Sequence, residues 1–131
     1  MGDTVSGLKS ALIRNPQSAT YNPKEYLSTW NPTDFAEGRL EKKYGQHVIG
    51  RKEFGDITKE EYHHRALKHM NRNDVEIIVT KTGYVLKYDP STNEFGSAKP
   101  DGTIETYYLP KSTNVYWETQ IKKYGRDRLI R

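Results

Sequence analysis

Val75-Glu76-Ile77-Ile78-Val79 and Tyr84-Val85-Leu86-Lys87-Tyr88, flanking Lys81-Thr82-Gly83, are the stretch on which the fold turns. Both runs are rich in β-branched and aromatic residues, and Gly83 can take the positive φ that a hairpin turn needs. Asp89-Pro90-Ser91-Thr92-Asn93 has turn composition, and Glu94 to Ala98 and Thr103 to Leu109 flank a second hairpin signal at Pro100-Asp101-Gly102. Pro110 ends the last run, because proline cannot donate to a sheet ladder. Four meandering strands are expected. Alternation on the last puts Ile104, Thr106 and Tyr108 on one side and Glu105, Tyr107 and Leu109 on the other.

Upstream the apolar period lengthens from two to nearly four. Thr58-Lys59-Glu60-Glu61 is a capping box, Ile57 precedes it as a hydrophobic staple, and Tyr62, Ala66 and Met70 recur every fourth residue with Leu67 beside them. His63 flanks this stripe, and His63, His64 and His69 are assigned to the helix surface. Asn22-Pro23-Lys24-Glu25 and Asn31-Pro32-Thr33-Asp34 each read as a helix start, with Asn as cap and Pro in the first turn. The second start leads through Ala36, Leu40 and Tyr44 to Gly45 as a stop, which leaves His47 exposed beyond it. Residues 1–20 are small and polar and read as a linker or flexible leader, with one domain over 21–131. Helices followed by a meander predict an α+β fold. N-terminal helices pack on one face of a four- to five-stranded antiparallel sheet, and the other face is free to bind.

Charge narrows the function classes. The chain has 131 residues, 21 Lys or Arg against 17 Asp or Glu, and a pI near 9.2. Between Arg39 and Arg72 nine bases face five acids, which equals the whole net charge of +4, and all four histidines lie in the same stretch. The tail from Glu118 to Arg131 adds five bases against two acids. Concentrated positive charge suits a polyanion such as nucleic acid, and a solvated helix face is the alternative reading. With no cysteine, thiolate metal sites, Cys nucleophiles and disulfides are excluded. No apolar run reaches the roughly 20 residues of a membrane span, and the opening residues lack signal-peptide character. No membrane insertion, cofactor or metal is expected. Lys81-Thr82-Gly83 lacks the upstream glycine of a nucleotide-binding loop.

The order Glu-Phe-Gly, Thr-Lys-Glu-Glu-Tyr, Val-Leu-Lys-Tyr-Asp-Pro-Ser-Thr-Asn-Glu-Phe-Gly, Asp-Gly-Thr-Ile-Glu-Thr-Tyr-Tyr-Leu-Pro and Tyr-Trp-Glu-Thr-Gln runs from about His47 to Gln120. It resembles the toxin nuclease domains of the barnase, EndoU, colicin and RelE superfamily. Such domains end contact-dependent growth inhibition proteins and other bacterial polymorphic toxins, and have phage-encoded relatives. The resemblance implies a metal-independent ribonuclease, often acting on tRNA in the cytoplasm of a target cell. The parent protein would be secreted or cell-surface, and a cognate acidic immunity protein would neutralise the toxin.

Residue by residue, the resemblance assigns the family's histidine to His47, its nearby base to Arg51 or Lys52, and its Thr-x-Tyr strand motif to Thr106 with Tyr108. Many relatives carry two histidines near Glu-Phe-Gly, whereas this chain carries His47 alone there. Cleavage of RNA by its own 2′-hydroxyl needs a base, an acid and donors to the phosphorane charge, and histidine can serve either proton role near neutrality. Lys87 is a further candidate for phosphate charge, and Tyr116 and Trp117 for the wall of an RNA cleft. Each has an ordinary alternative. Thr106 is also a plain β-former, Tyr108, Tyr116 and Trp117 plain core aromatics, and Lys87 a cross-strand partner of Glu76. A non-catalytic RNA-binding module and a phage-associated interaction domain are the alternative functions.

Overall fold

Local signals account for the first and third helices. A computed structural model describes residues 22–130, so the leader expected over 1–20 lies outside the described residues. Helix α1 (Pro23–Thr29) starts where Asn22 accepts from Lys24 N at 3.0 Å and Glu25 N at 3.3 Å. Helix α3 (Lys59–Asn71) has the full capping box, with the Thr58 and Glu61 side chains each accepting the other's backbone N–H at 3.1 Å. Such a cap contributes roughly 1 kcal/mol. Ile57 packs in the same cluster as Tyr62, as a staple should.

The second helix departs from expectation at both ends. Residues 31–34 are not helical because their backbone groups bond to the second hairpin: Thr33 N donates to Gly102 O and Ile104 N donates to Asp34 O, both at 2.9 Å. Helix α2 (Arg39–Tyr44) begins only after Gly38 at φ +79. Gly45 does not stop it. At φ −59 and ψ −38 it is right-handed, and the chain runs on as a π-helical turn over Gly45–Gly50. Val48 in that turn is buried against Tyr62, Ala66 and Tyr107, so tertiary packing extends the helix past a residue that locally favours ending it.

The meander forms strands β1 (Glu76–Val79), β2 (Val85–Asp89), β3 (Glu94–Ala98) and β4 (Ile104–Tyr108). Helix α4 (Asn114–Tyr124) follows, and β5 (Leu129–Ile130) returns to pair with β1. The sheet order is β4-β3-β2-β1-β5, with every neighbouring pair antiparallel. With four α-helices and this five-stranded sheet among the described residues, the fold is α+β.

Both faces of the sheet carry a core. Ile77, Val79, Val85, Ala98 and Ile104 pack with Trp30 and Met70 under α1 and α3. Ile78, Leu86, Tyr88 and Phe95 pack with Trp117 and Ile121 of α4. The second face is therefore partly covered, not free as expected. Helix α3 approaches so closely that a Cβ on Gly96 would stand 2.5 Å from Met70 Sδ, which explains a glycine in mid-strand.

The expected alternation on β4 fails at one residue. Thr106 pairs with Ser97 but Ile104 pairs with Ala98, so Glu105 is an extra residue at a bulge. Ile104 and Tyr107 consequently share the α3 face, while Thr106 and Tyr108 turn to the α4 face. His69 is also corrected. It falls seven residues after Tyr62, within the stripe that packs on the sheet, and is 1% exposed.

Candidate functional site

The π-helical turn carries His47 and reverses the chain onto itself. Arg51 N donates to Gln46 O at 3.1 Å, Glu53 N donates to His47 O at 3.0 Å, and Lys52 takes φ +53 at the reversal. This brings Glu53 Oε2 to 2.9 Å from His47 Nδ1. A carboxylate only accepts, so Nδ1 carries the proton and Nε2 is the nitrogen left for chemistry. Glu53 Oε1 accepts from Leu109 N at 2.9 Å, which ties the reversal to the end of β4.

Across this junction the His47 ring lies on Tyr108, with centroids 4.9 Å apart and planes 8° from parallel. Tyr108 hydrogen-bonds Tyr116 of α4 through their hydroxyls. His47, Arg51, Thr106, Tyr108 and Tyr116 all line one open cleft of about 500 Å³, with Lys43 and Lys111 adding positive charge. Four of the residues assigned from sequence to catalysis thus meet, although 59 positions separate His47 from Thr106.

Electrostatics sets the protonation of this cleft. Burial lowers the His47 pKa, the hydrogen bond and charge of Glu53 oppose that shift, and Arg51 and Lys43 add to it. Lys43 is also lowered, by burial and then by Arg39 and Lys42. Burial and the Tyr116 hydrogen bond push Tyr108 well above its ordinary value, so it stays a phenol. Arg51 is half exposed, with Nη1 3.9 Å from Glu53 Oε2.

No protein-family model matches this chain, and no curated protein matches it.

Three residues assigned to RNA binding lie elsewhere. Lys52 lines a separate groove beside Tyr44, Ile49 and Ile57. Lys87 sits on the α3 face of the sheet, opposite Ile77 and not Glu76, and is 1% exposed. Its Nζ donates to Arg72 O and to Asn73 Oδ1 and lies 5.4 Å from the Trp30 ring centroid. Burial pushes it down to about 8, and the bulk of the sheet separates it from the cleft. Trp117 is core: its Nε1 donates to Glu76 Oε1 at 3.0 Å, and its ring stacks on Tyr88 at 5.4 Å. Tyr116, its neighbour, does form a cleft wall.

His47 is 2% exposed, whereas a helix stop at Gly45 predicts it outside the fold. Sequence reading also missed Glu53, Lys43 and Lys111. Glu53 is six residues from His47, a separation that no regular helix or strand brings together, and it reads as one more acid in a charged stretch. Among the described residues, no cluster of three or more His, Asp and Glu side chains has metal-binding geometry.

Proposed function

We propose that this domain is a ribonuclease that uses acid–base chemistry rather than a metal ion, with single-stranded RNA in the Lys43, His47 and Arg51 cleft. His47 Nε2 takes the proton of a ribose 2′-hydroxyl, the 2′-oxygen attacks the adjacent phosphorus, and the bond from phosphorus to the 5′-oxygen breaks. The products are a 2′,3′-cyclic phosphate and a 5′-hydroxyl. Glu53 holds Nδ1–H and stabilises the imidazolium formed in the first half of the step. Arg51 and Lys111 offset charge on the phosphorane, and the Lys43 ammonium, its pKa already lowered, returns a proton to the leaving oxygen. Thr106 and Tyr116 donate to phosphate oxygens, because the single O–H of Tyr108 is given to the Tyr116 oxygen and leaves the Tyr116 O–H free.

The observation that carries this reading is the buried His47–Glu53 pair opening on a cleft lined by three bases. The sequence resemblance adds the setting: a bacterial toxin acting on RNA, with tRNA as the first class to test, in the cytoplasm of a target cell. It also adds an immunity protein whose carboxylates cover Lys43, Arg51 and Lys111. A second reading, a non-catalytic RNA-binding module, is favoured by the low exposure of His47.

Incubation of total RNA and purified tRNA with wild type and His47→Ala, each with EDTA, separates the two. The ribonuclease reading expects cleavage in EDTA by wild type alone and cyclic phosphate ends. Binding without cleavage establishes the second reading. Activity lost in EDTA and restored by magnesium overturns the proposed chemistry.

A further inference from the structure

The cleft does not end at β4. Thr106, Tyr108 and Tyr116 also border a second groove of about 400 Å³ between the α4 face of the sheet and α4 itself. The bulge at Glu105 makes this continuity possible, because it turns Thr106 and Tyr108 to the same side as Phe95 and Ser97. The two halves differ in chemistry. The cleft holds Lys43, Arg51 and Lys111, which suit a phosphate, whereas among the described residues Lys123 is the only base lining the groove and the acid Glu105, paired with Arg39, lines it too.

Aromatic rings and uncharged polar groups dominate the groove. Tyr84, Phe95, Tyr116 and Tyr124 contribute rings. Gln120 of α4 and Ser97 of β3, both half-buried, line it as well, and neither side chain hydrogen-bonds another of the described residues. Flat apolar walls with a few polar groups not engaged by the protein suit a planar heterocycle with polar edges, and the volume lies in the ~300–1,000 Å³ range of small-ligand pockets. A nucleobase has that form: its faces stack on aromatic rings and its edge takes the donor and acceptor of a primary amide.

We propose that this groove is a nucleobase subsite. It holds the base of a nucleotide next to the phosphate in the cleft, with Gln120 reading the base edge and Tyr84 forming part of the stacking wall. This rests on the ribonuclease reading for the identity of the polymer, but not for the recognition of the base.

The test separates the two. Wild type is titrated with the four ribonucleoside monophosphates and with inorganic phosphate, following amide and side-chain NMR resonances. The nucleotides should shift the Gln120 side-chain amide and the Tyr84 and Tyr124 signals, and phosphate alone should shift Arg51 and not Gln120. Gln120→Leu, close to isosteric on a half-buried helix position, should weaken its preferred nucleotide about 10-fold or more, as loss of a buried hydrogen-bonding pair does, and narrow the spread among the four. Tyr84→Leu should weaken all four together. Phosphate affinity should be unchanged in both variants. Nucleotides that shift only cleft resonances, or a Gln120→Leu protein that binds all four like wild type, overturn the subsite. Nucleotide binding in the groove without RNA cleavage leaves the subsite standing and removes the ribonuclease reading instead.

Discussion

His47 Nδ1 and Glu53 Oε2 stand 2.9 Å apart with both side chains almost closed to solvent, at 3% and 8% exposure. The two carboxylate oxygens have different duties, since Oε1 accepts from Leu109 N while Oε2 faces the imidazole. One pair therefore sets the tautomer of His47 and the position of the strand end that carries Thr106 and Tyr108.

Glu53→Gln divides these duties. An amide has one accepting oxygen, and if Leu109 N keeps it, the NH2 group faces Nδ1 and forces the proton onto Nε2. The base is then blocked, and single-turnover cleavage should fall on the order of 10²- to 10⁴-fold. His47→Ala should lose about 100-fold or more. Rates measured beside melting curves check this; a Glu53→Gln enzyme of full activity would leave the carboxylate a purely structural tie.

Acid should destabilise the domain through its buried histidines. Burial lowers the folded pKa values of His47 and His69 below the ordinary value near 6.5. Below about pH 6.5 the unfolded chain takes up protons that the folded chain refuses, so stability is complete above that pH and declines as pH falls toward the folded values. Urea midpoints at pH 7.5 and 5.5 should fall in that order. The same lowering places the acidic limb of the cleavage profile below pH 6.5.

Lys87→Met tests the reassignment of that lysine. Its Nζ lies on the α3 side of the sheet, so RNA cleavage should match wild type. The folded pKa of about 8 lies below the unfolded value, and the unfolded state binds more protons between about pH 8 and 10.4. The contribution of Lys87 thus rises with pH across that window, and the rise should be absent from Lys87→Met. A drop in RNA affinity would return Lys87 to the interface.

Thr106→Val keeps the β-branched shape opposite Ser97 and removes the hydroxyl. Cleavage should fall roughly 10-fold, as for a lost hydrogen bond to charge, with stability within about 0.5 kcal/mol of wild type. Unfolding of the variant would show that the hydroxyl serves the fold.

Gly102→Ala should be the most damaging small substitution. The residue has φ +92, and a Cβ would stand 2.1 Å from the Asn31 carbonyl oxygen. Relief requires residues 31–34 to leave the sheet edge, at a cost on the order of 3 kcal/mol. Thermal unfolding measures it, and a near-native melting temperature would show that this edge contact is dispensable.

The local grammar of the chain is legible where one physical rule acts alone. Thr58 and Glu61 cap a helix because their side chains reach orphan amides within one turn. The hairpins at Gly83 and Gly102 follow from positive φ at glycine. Prediction stops where distant partners compete for the same backbone. Asn31-Pro32 is a good helix start, yet hydrogen bonds to Gly102 and Ile104 keep the residues after it out of a helix, and Gly45 is a good stop that the burial of Val48 overrides.

By itself the sequence determined an α+β chain with a four-strand meander, a basic segment holding His47 and Arg51, and a Thr-x-Tyr strand end at Thr106 and Tyr108. Capping, turn geometry and alternation are short-range effects, readable within a few residues. Only the tertiary structure decided that His47 is buried against Glu53, that Lys87 and Trp117 are core, and that the bulge at Glu105 turns Thr106 and Tyr108 toward α4. Those outcomes depend on which face of the sheet each helix covers, and the dense packing of both faces selects one answer from the many that local rules permit.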